Sequence, residues 1–275
     1  MITCQCSMNF GGIAMNPRKP GLSGLIIFAL IMFFLSSVAE AGVFSSIKRS
    51  IDKGRYAFEK ELGKRTRDSM IEKNGLVSDP AMTLRVRHIG RRMARICDRP
   101  DVDYEFYVLD TEEVNAFAAP GGFIFVTRGL MKTVADDNEL AFVIGHEVGH
   151  VVRKHSLHEI EKSLMISGVL SLFLSGKTIS DSQWLGIVNG LVSMKRSRSN
   201  EYEADWQGIS NSVRSGFSPF GSVAFFEKLN KLSGSGGSKT VDKVAAFFST
   251  HPPTTDRIGR AQGVINEFAD QIRVK

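Results

Sequence analysis

Apolar residues recur three and four positions apart through most of the chain, which predicts a mostly helical protein interrupted by one short strand region. Leu84, Ile89, Met93 and Ile96 hold helical spacing between the start signal Ser78-Asp79-Pro80 and the stop at Pro100. After Pro100 the period changes. Tyr104 to Leu109, Val114 to Phe117 and Phe123 to Thr127 are short β-prone runs, and Pro120-Gly121-Gly122 supplies a turn. A small antiparallel sheet is therefore predicted, followed by Asp136-Asp137-Asn138-Glu139, which has the form of a capping box. The helix beginning there carries Leu140, Val143, Ile144, Val148 and Val151. No proline stops it before about Leu174.

The remaining segments read as helices with polar breaks. Residues 43–74 predict one or two helices interrupted at Gly54 and Gly63. Glu201 to Ser215, Pro219 to Leu232, Val241 to Phe248 and Thr254 to Ile272 predict four more, with a flexible loop at Ser233 to Ser238 and a break at His251-Pro252-Pro253. Leu164 to Leu174 and Trp184 to Met194 are apolar runs of about eleven residues, against roughly twenty needed to cross a bilayer. They read as core helices or a lid over a cleft, and shallow contact with a membrane surface stays open. The fold class is α+β: a mostly helical domain with a small antiparallel sheet beside one buried helix.

Composition changes this picture mainly at the N-terminus. Arg18 and Lys19 precede the uncharged run Leu22 to Leu35, and Ala39-Glu40-Ala41 follows, the order of a secretory signal peptide with cleavage after Ala41. An uncleaved signal anchor is the competing reading. The expected organisation is a signal peptide or anchor over 1–41 and one domain over 42–275, exported to the periplasm or cell envelope. Cys4 and Cys6 would leave with the signal, so Cys97 stands alone, without an internal disulfide, as a small buried apolar residue. The formal charge of +6 is spread along the chain. Arg85-Val86-Arg87-His88, Arg91-Arg92 and Lys195-Arg196-Ser197-Arg198 read as solvated basic faces. No nucleic-acid motif accompanies them, and no nucleic-acid partner is expected.

The chemistry is concentrated in His146-Glu147-Val148-Gly149-His150. Residues four apart share a helix face, so His146 and His150 can offer two imidazole nitrogens to one metal ion, and Glu147 beside them can take a proton from a water. A zinc site of this kind needs a third protein ligand. A third histidine three residues past a glycine is excluded, because Arg153 and Ser156 stand in the required places; His155 and His158 do not repair it. The other arrangement takes a glutamate from a downstream helix with an aspartate four residues on, and Glu201-Tyr202-Glu203-Ala204-Asp205 has that form. Glu201 then completes the metal site, Asp205 accepts from the distal nitrogen of a ligand histidine, and Glu203 faces solvent.

With His251-Pro252-Pro253-Thr254-x-x-Arg257-Ile258, these motifs resemble the HtpX and CAAX-prenyl-protease family of zinc metallopeptidases, family 48. Within it the chain is most similar to the soluble exported type represented by BepA and to the catalytic part of the mitochondrial inner-membrane members. The resemblance implies a gluzincin domain, one zinc ion per chain and hydrolysis of peptide bonds in misfolded or unassembled envelope proteins. It gives His251 a catalytic or a regulatory role, stabilising an oxyanion or occupying the fourth metal position; a helix-start residue bonded near Arg257 is the plain alternative. It likens Asn115-Ala116-Phe117 and the following turn and strand to a substrate-side strand. Substrate is then expected along Phe123 to Thr127 by main-chain pairing to an exposed edge, with Asn115, Phe123 and Phe125 as contacts. A zinc-containing envelope chaperone that binds unfolded chains without cutting them is the alternative function.

Overall fold

The computed structural model describes the backbone of residues 22–273 except 163, 235–237 and 252–255, and side chains from residue 45 except 47, 161, 163–167, 235–243, 252–255 and 271–273. The signal sequence expected over 1–41 and the Pro252-Pro253 break therefore lie outside the residues described in full. Two compact units make up the chain, 1–51 and 52–275. Among the described residues no helix is long and apolar enough to cross a membrane.

Helices α1 (Leu22–Asn74) and α2 (Pro80–Ile96) precede strands β1 (Glu105–Leu109), β2 (Ala116–Ala119) and β3 (Phe123–Thr127). Then come α3 (Arg128–Thr133), α4 (Asp137–Val152), α5 (His155–Lys162), α6 (Leu164–Leu174) and α7 (Asp181–Val192). The chain continues with α8 (Arg198–Arg214), α9 (Gly221–Gly234), α10 (Ser238–Thr250) and α11 (Arg257–Arg273). α2 starts where its cap signal placed it, with the Asp79 side chain accepting from Ala81 N–H at 2.8 Å.

The sheet is mixed rather than antiparallel. Its order is β1-β3-β2: β3 pairs antiparallel with β2 across the Pro120-Gly121-Gly122 turn and parallel with β1, Glu105 opposite Phe123. Gly121 makes the turn at a φ of 77°, a conformation that costs glycine little. β3 is thus the central strand, and both its faces are covered. Ile124 and Val126 join one hydrophobic cluster with Val86, Ile89 and Met93 of α2 and Phe142 of α4. Phe123 and Phe125 join the other, with Phe58 and Leu62 of α1 and Trp184 and Ile187 of α7. The apolar run Trp184 to Met194 is accordingly part of the core.

Two helix expectations are corrected. Residues 52–74 continue as helix through Gly54 and Gly63; at Gly63 a β-carbon would stand 2.6 Å from the Phe123 ring, so the small residue serves close packing rather than a break. The motif helix stops at Val152, because Lys154 adopts a left-handed φ of 54° and turns the chain before α5. Neither glycine nor proline marks that stop. Asp136 caps α4 as expected, accepting from Asn138 and Glu139 N–H groups, while the Glu139 carboxylate reaches back to Ala135 N–H rather than to Asp136.

α4 and α8 pack along each other in antiparallel order, rising numbers on one meeting falling numbers on the other. A β-carbon on Gly208 would lie 3.0 Å from Phe142 O and 3.1 Å from His146 N, and one on Gly145 would lie 3.1 Å from Gly208 O. Only glycine lets the two backbones approach this closely. Their approach sets the distance at which side chains of α8 meet those of α4.

Candidate metal centre

Four ligand-type side chains converge in the interior. His146 and His150 come from α4, Glu201 from the first turn of α8, and His251 from the residue after α10; one ligand atom of each lies within 4.8 Å of the others. His146 Nε2 and His150 Nε2 are 3.0 Å apart. They stand 3.5 Å and 3.4 Å from the Glu201 carboxylate oxygens. His251 Nδ1 lies 3.0 Å from Glu201 Oε2 and 3.3 Å from His146 Nε2. All four are buried, Glu201 and His251 completely. Imidazole and carboxylate lone pairs facing one another in a space without solvent repel unless a proton or a cation sits among them, so the donor set fits a divalent ion of zinc type.

Glu147 is different in kind. Its carboxylate is fully buried, and neither oxygen has a hydrogen-bond partner among the described residues; His251 Nε2 lies 3.4 Å from Oε1. A buried carboxylate is costly to leave without compensating hydrogen bonds.

The surrounding charges are organised by Asp205 and Arg257. Asp205 Oδ1 lies 2.9 Å from His146 Nδ1, on the far side of that ring from the cluster. Arg257, at the start of α11, forks the same carboxylate with bonds of 2.8 Å and 2.6 Å and lies 3.3 Å from Glu201 Oε2. Burial disfavours a charged His146, but Asp205 and Glu201 outweigh it and raise the imidazole to about 9. Burial, with the Arg196 guanidinium nearby, holds His150 well below the ordinary histidine value. Burial opposes charge on Glu201 too, yet His251, His146 and His150 around it keep its carboxyl well below the carboxylate range. The two helical histidines, alike in sequence, differ electrostatically because Asp205 stands behind His146 while the Arg196 guanidinium lies near His150.

Glu203 is exposed, as expected, and His155 is not among the four clustered ligands, but helix geometry misplaced His155 as lying away from the histidine face. The left-handed turn at Lys154 brings His155 Nδ1 to 2.8 Å from His150 Nδ1, while His155 Nε2 lies 3.6 Å from Glu203 Oε2. One of the two Nδ1 atoms donates and the other accepts. If His150 presents its Nε2 lone pair to the cluster, its Nδ1–H is the donor and His155 the acceptor. Glu203 is exposed, with Arg153 Nε and His155 Nε2 at 3.7 Å and 3.6 Å from its carboxylate.

The substrate-side residues divide. Phe123 and Phe125 lie on the central strand with 1% and 0% exposure, so β3 offers no edge for an added strand; the physical reason is its pairing on both sides. β2 is the edge. Thr127 N–H donates to Asn115 O at 3.0 Å, so Asn115, Phe117 and Ala119 turn their backbone groups toward β3 while Ala116 and Ala118 turn theirs outward. His251 Nε2 reaches Ala116 O at 3.2 Å, and its ring stacks on Phe247 at 4.7 Å between centres.

A helix carrying His-Glu-x-x-His, joined by a glutamate from a second helix, is the arrangement of the metallopeptidase class in which two histidines and a carboxylate hold one ion. Residues 80–265 match the family described as Peptidase family M48, and the chain belongs to that family. It is similar to the mitochondrial metalloendopeptidase OMA1 of Schizosaccharomyces pombe, 28% identical over 79% of this chain and 63% of that protein. It is similar to the metalloprotease YcaL of Escherichia coli K12, 35% identical over 61% of this chain and 66% of that protein. The beta-barrel assembly-enhancing protease of Yersinia pestis is 28% identical over 70% of this chain and 41% of its own length. The chain thus spans less than two thirds of each of these relatives.

Proposed function

We propose that this chain is a zinc-dependent metalloendopeptidase that cuts misfolded or unassembled proteins of the cell envelope. The observation that carries the proposal is the buried Glu147 carboxylate, which has no hydrogen-bond partner among the described residues, one residue from His146 and beside the His146, His150 and Glu201 cluster. Those three residues would hold the ion, which when bound supplies Lewis acidity toward a water and a peptide carbonyl. Glu147 takes the proton of the attacking water and returns it to the departing amide nitrogen. Asp205 and Arg257 hold the His146 ring in place. His155 does the same for His150.

The peptide lies along β2, pairing with the outward backbone groups of Ala116 and Ala118. His251 stands where such a peptide arrives: it bonds Ala116 O and closes the cluster from the fourth side. Its contacts support the holding-off role, in which an incoming strand takes over Ala116 O and frees His251 to face the developing negative charge. The envelope setting rests on the N-terminal signal reading and on the bacterial relative whose name refers to β-barrel assembly. A chaperone without cleavage would have no use for a buried carboxylate of this kind.

Cleavage of unfolded casein by purified protein tests the activity. Loss on treatment with a zinc chelator and recovery on adding one equivalent of zinc is the expected outcome. Equal cleavage with and without metal would sink the proposal.

A further inference from the structure

Next to the cluster, a cavity of about 130 Å³ opens on the Phe117 face of β2. Its floor is rigid. Phe117 stacks on Phe125 at 4.7 Å between ring centres and Phe125 on Tyr107 at 5.5 Å, an aromatic ladder across all three strands. Met70 of α1, Leu109 of β1, Leu191 and Val192 of α7, and Met194 just beyond form the walls. Polar residues also line it, and most of their groups are engaged, but Asn115 Oδ1 and Arg196 Nε are buried without a hydrogen-bond partner among the described residues. Thr66 Oγ1 donates to Leu62 O at 2.8 Å, Asn74 Nδ2 to Met70 O at 3.0 Å, Thr127 Oγ1 to Glu113 O at 2.6 Å and Thr250 Oγ1 to Phe247 O at 3.2 Å. Arg196, at the side nearest the cluster, donates to Ser156 Oγ at 3.2 Å. The exposed residues Lys73 and Glu113 supply charge at the rim. A guest thus meets an aromatic floor and apolar walls, with Asn115 Oδ1 and Arg196 Nε as the open polar groups and further charge at the rim.

We propose that this cavity is the side-chain subsite that sets the specificity of the peptidase, and that it takes leucine, methionine or phenylalanine from a peptide paired to β2. The inference rests on the peptidase reading above. A strand added to the β2 edge continues the sheet, so its alternate side chains arrive on the Phe117 face, over the cavity. The position is close to the reacting centre: Asn115 and Thr250 line the cavity, and their chain neighbours Ala116 and His251 are bonded to each other at 3.2 Å. The size agrees as well. A dry cavity of about 150 Å³ accepts a benzene ring, so this one admits side chains up to about a phenyl group and leaves alanine loosely held. Folded proteins keep such residues inside and unfolded ones expose them, so a subsite of this kind reads loss of folding directly.

Quenched fluorescent peptides carrying each residue type in turn at each position around the cut test this. The zinc-loaded wild-type protein is expected to favour Leu, Met and Phe over Ala at one position by at least roughly tenfold in kcat/KM. Leu191→Ala should widen that preference to Tyr and Trp. Met194→Trp should turn it toward Ala and Gly while the alanine peptide is still cut. Cleavage with no preference at any position, or a preference that folded forms of both variants leave unmoved, overturns the subsite. The wild-type profile decides alone if neither variant folds. Failure to cut any peptide overturns the peptidase reading and the subsite with it, an outcome distinct from cutting without preference.

Discussion

Asp205 serves two buried partners at once, His146 and Arg257, and this decides what its loss would do. Asp205→Asn removes the negative charge behind the His146 ring and leaves Arg257 buried beside a neutral amide. Metal affinity should fall roughly 10- to 100-fold, and stability by about 3 kcal/mol or more, measurable by chelator competition and by urea unfolding. The raised His146 value gives a pH dependence. In the metal-free protein its stabilising contribution is complete below about 6.5 and is lost as pH rises through about 9. Metal binding has the opposite sign, because the proton must leave first: affinity should rise roughly tenfold per pH unit up to about 9. Calorimetry at pH 7 in two buffers of different ionisation heat should report about one proton released. His155→Ala removes the partner of His150 Nδ1 and should weaken metal binding by roughly tenfold or more, with partial recovery in His155→Gln, whose carbonyl can accept. Equal affinity in all three proteins would remove His155 from the site. The spacing of His146, Glu147, His150, Glu201 and Asp205 was legible because a helix fixes which residues share a face. His155 was not, since its position depends on a left-handed lysine that carries no sequence signal.

At the level of elements, the crossing of α4 and α8 determines whether the donors meet. Gly208→Ala would drive a methyl group against Phe142 O and the His146 amide, and backbone cannot step aside as a side chain can. The expected cost is about 1–3 kcal/mol, with metal affinity lowered more than the global loss of stability explains, since the helices separate at the level of His146. Thermal melts with and without zinc check both. A variant with unchanged metal affinity would show that the close approach is not what sets the site. The strands carry a lesson in reading. Phe123-Ile124-Phe125-Val126 is apolar at every position, the pattern of a strand covered on both faces, whereas an exposed edge alternates or is short. The short run at Ala116 to Ala119 had the features of the edge. Helix starts at Asp79 and Asp136 were legible because caps are local chemistry; the parallel partner of β3 was not, because register between distant segments is written in no single stretch.

For the whole molecule, burial of His146, His150, Glu201 and His251 couples the cluster to folding. A ligand present at 100 times its dissociation constant adds about 2.7 kcal/mol, so chelation should lower the melting temperature by roughly 5–11 °C for a chain of this size. The mostly helical architecture with one small sheet was legible from periodicity. The mutual placement of α1, α7 and the Phe117 face of β2, which shapes the cavity, was not, because it depends on packing between segments far apart in the chain. The central claim is that Glu147 is a proton acceptor for peptide hydrolysis beside a metal held by other residues. Zinc content and peptide cleavage of Glu147→Gln, measured on the same samples as wild type, test it most directly. One zinc per chain in both proteins, with cleavage reduced by roughly 10²- to 10⁴-fold or more only in the variant, is the expected result. Cleavage at the wild-type rate by Glu147→Gln, or a wild-type protein that cuts without binding metal, would contradict it.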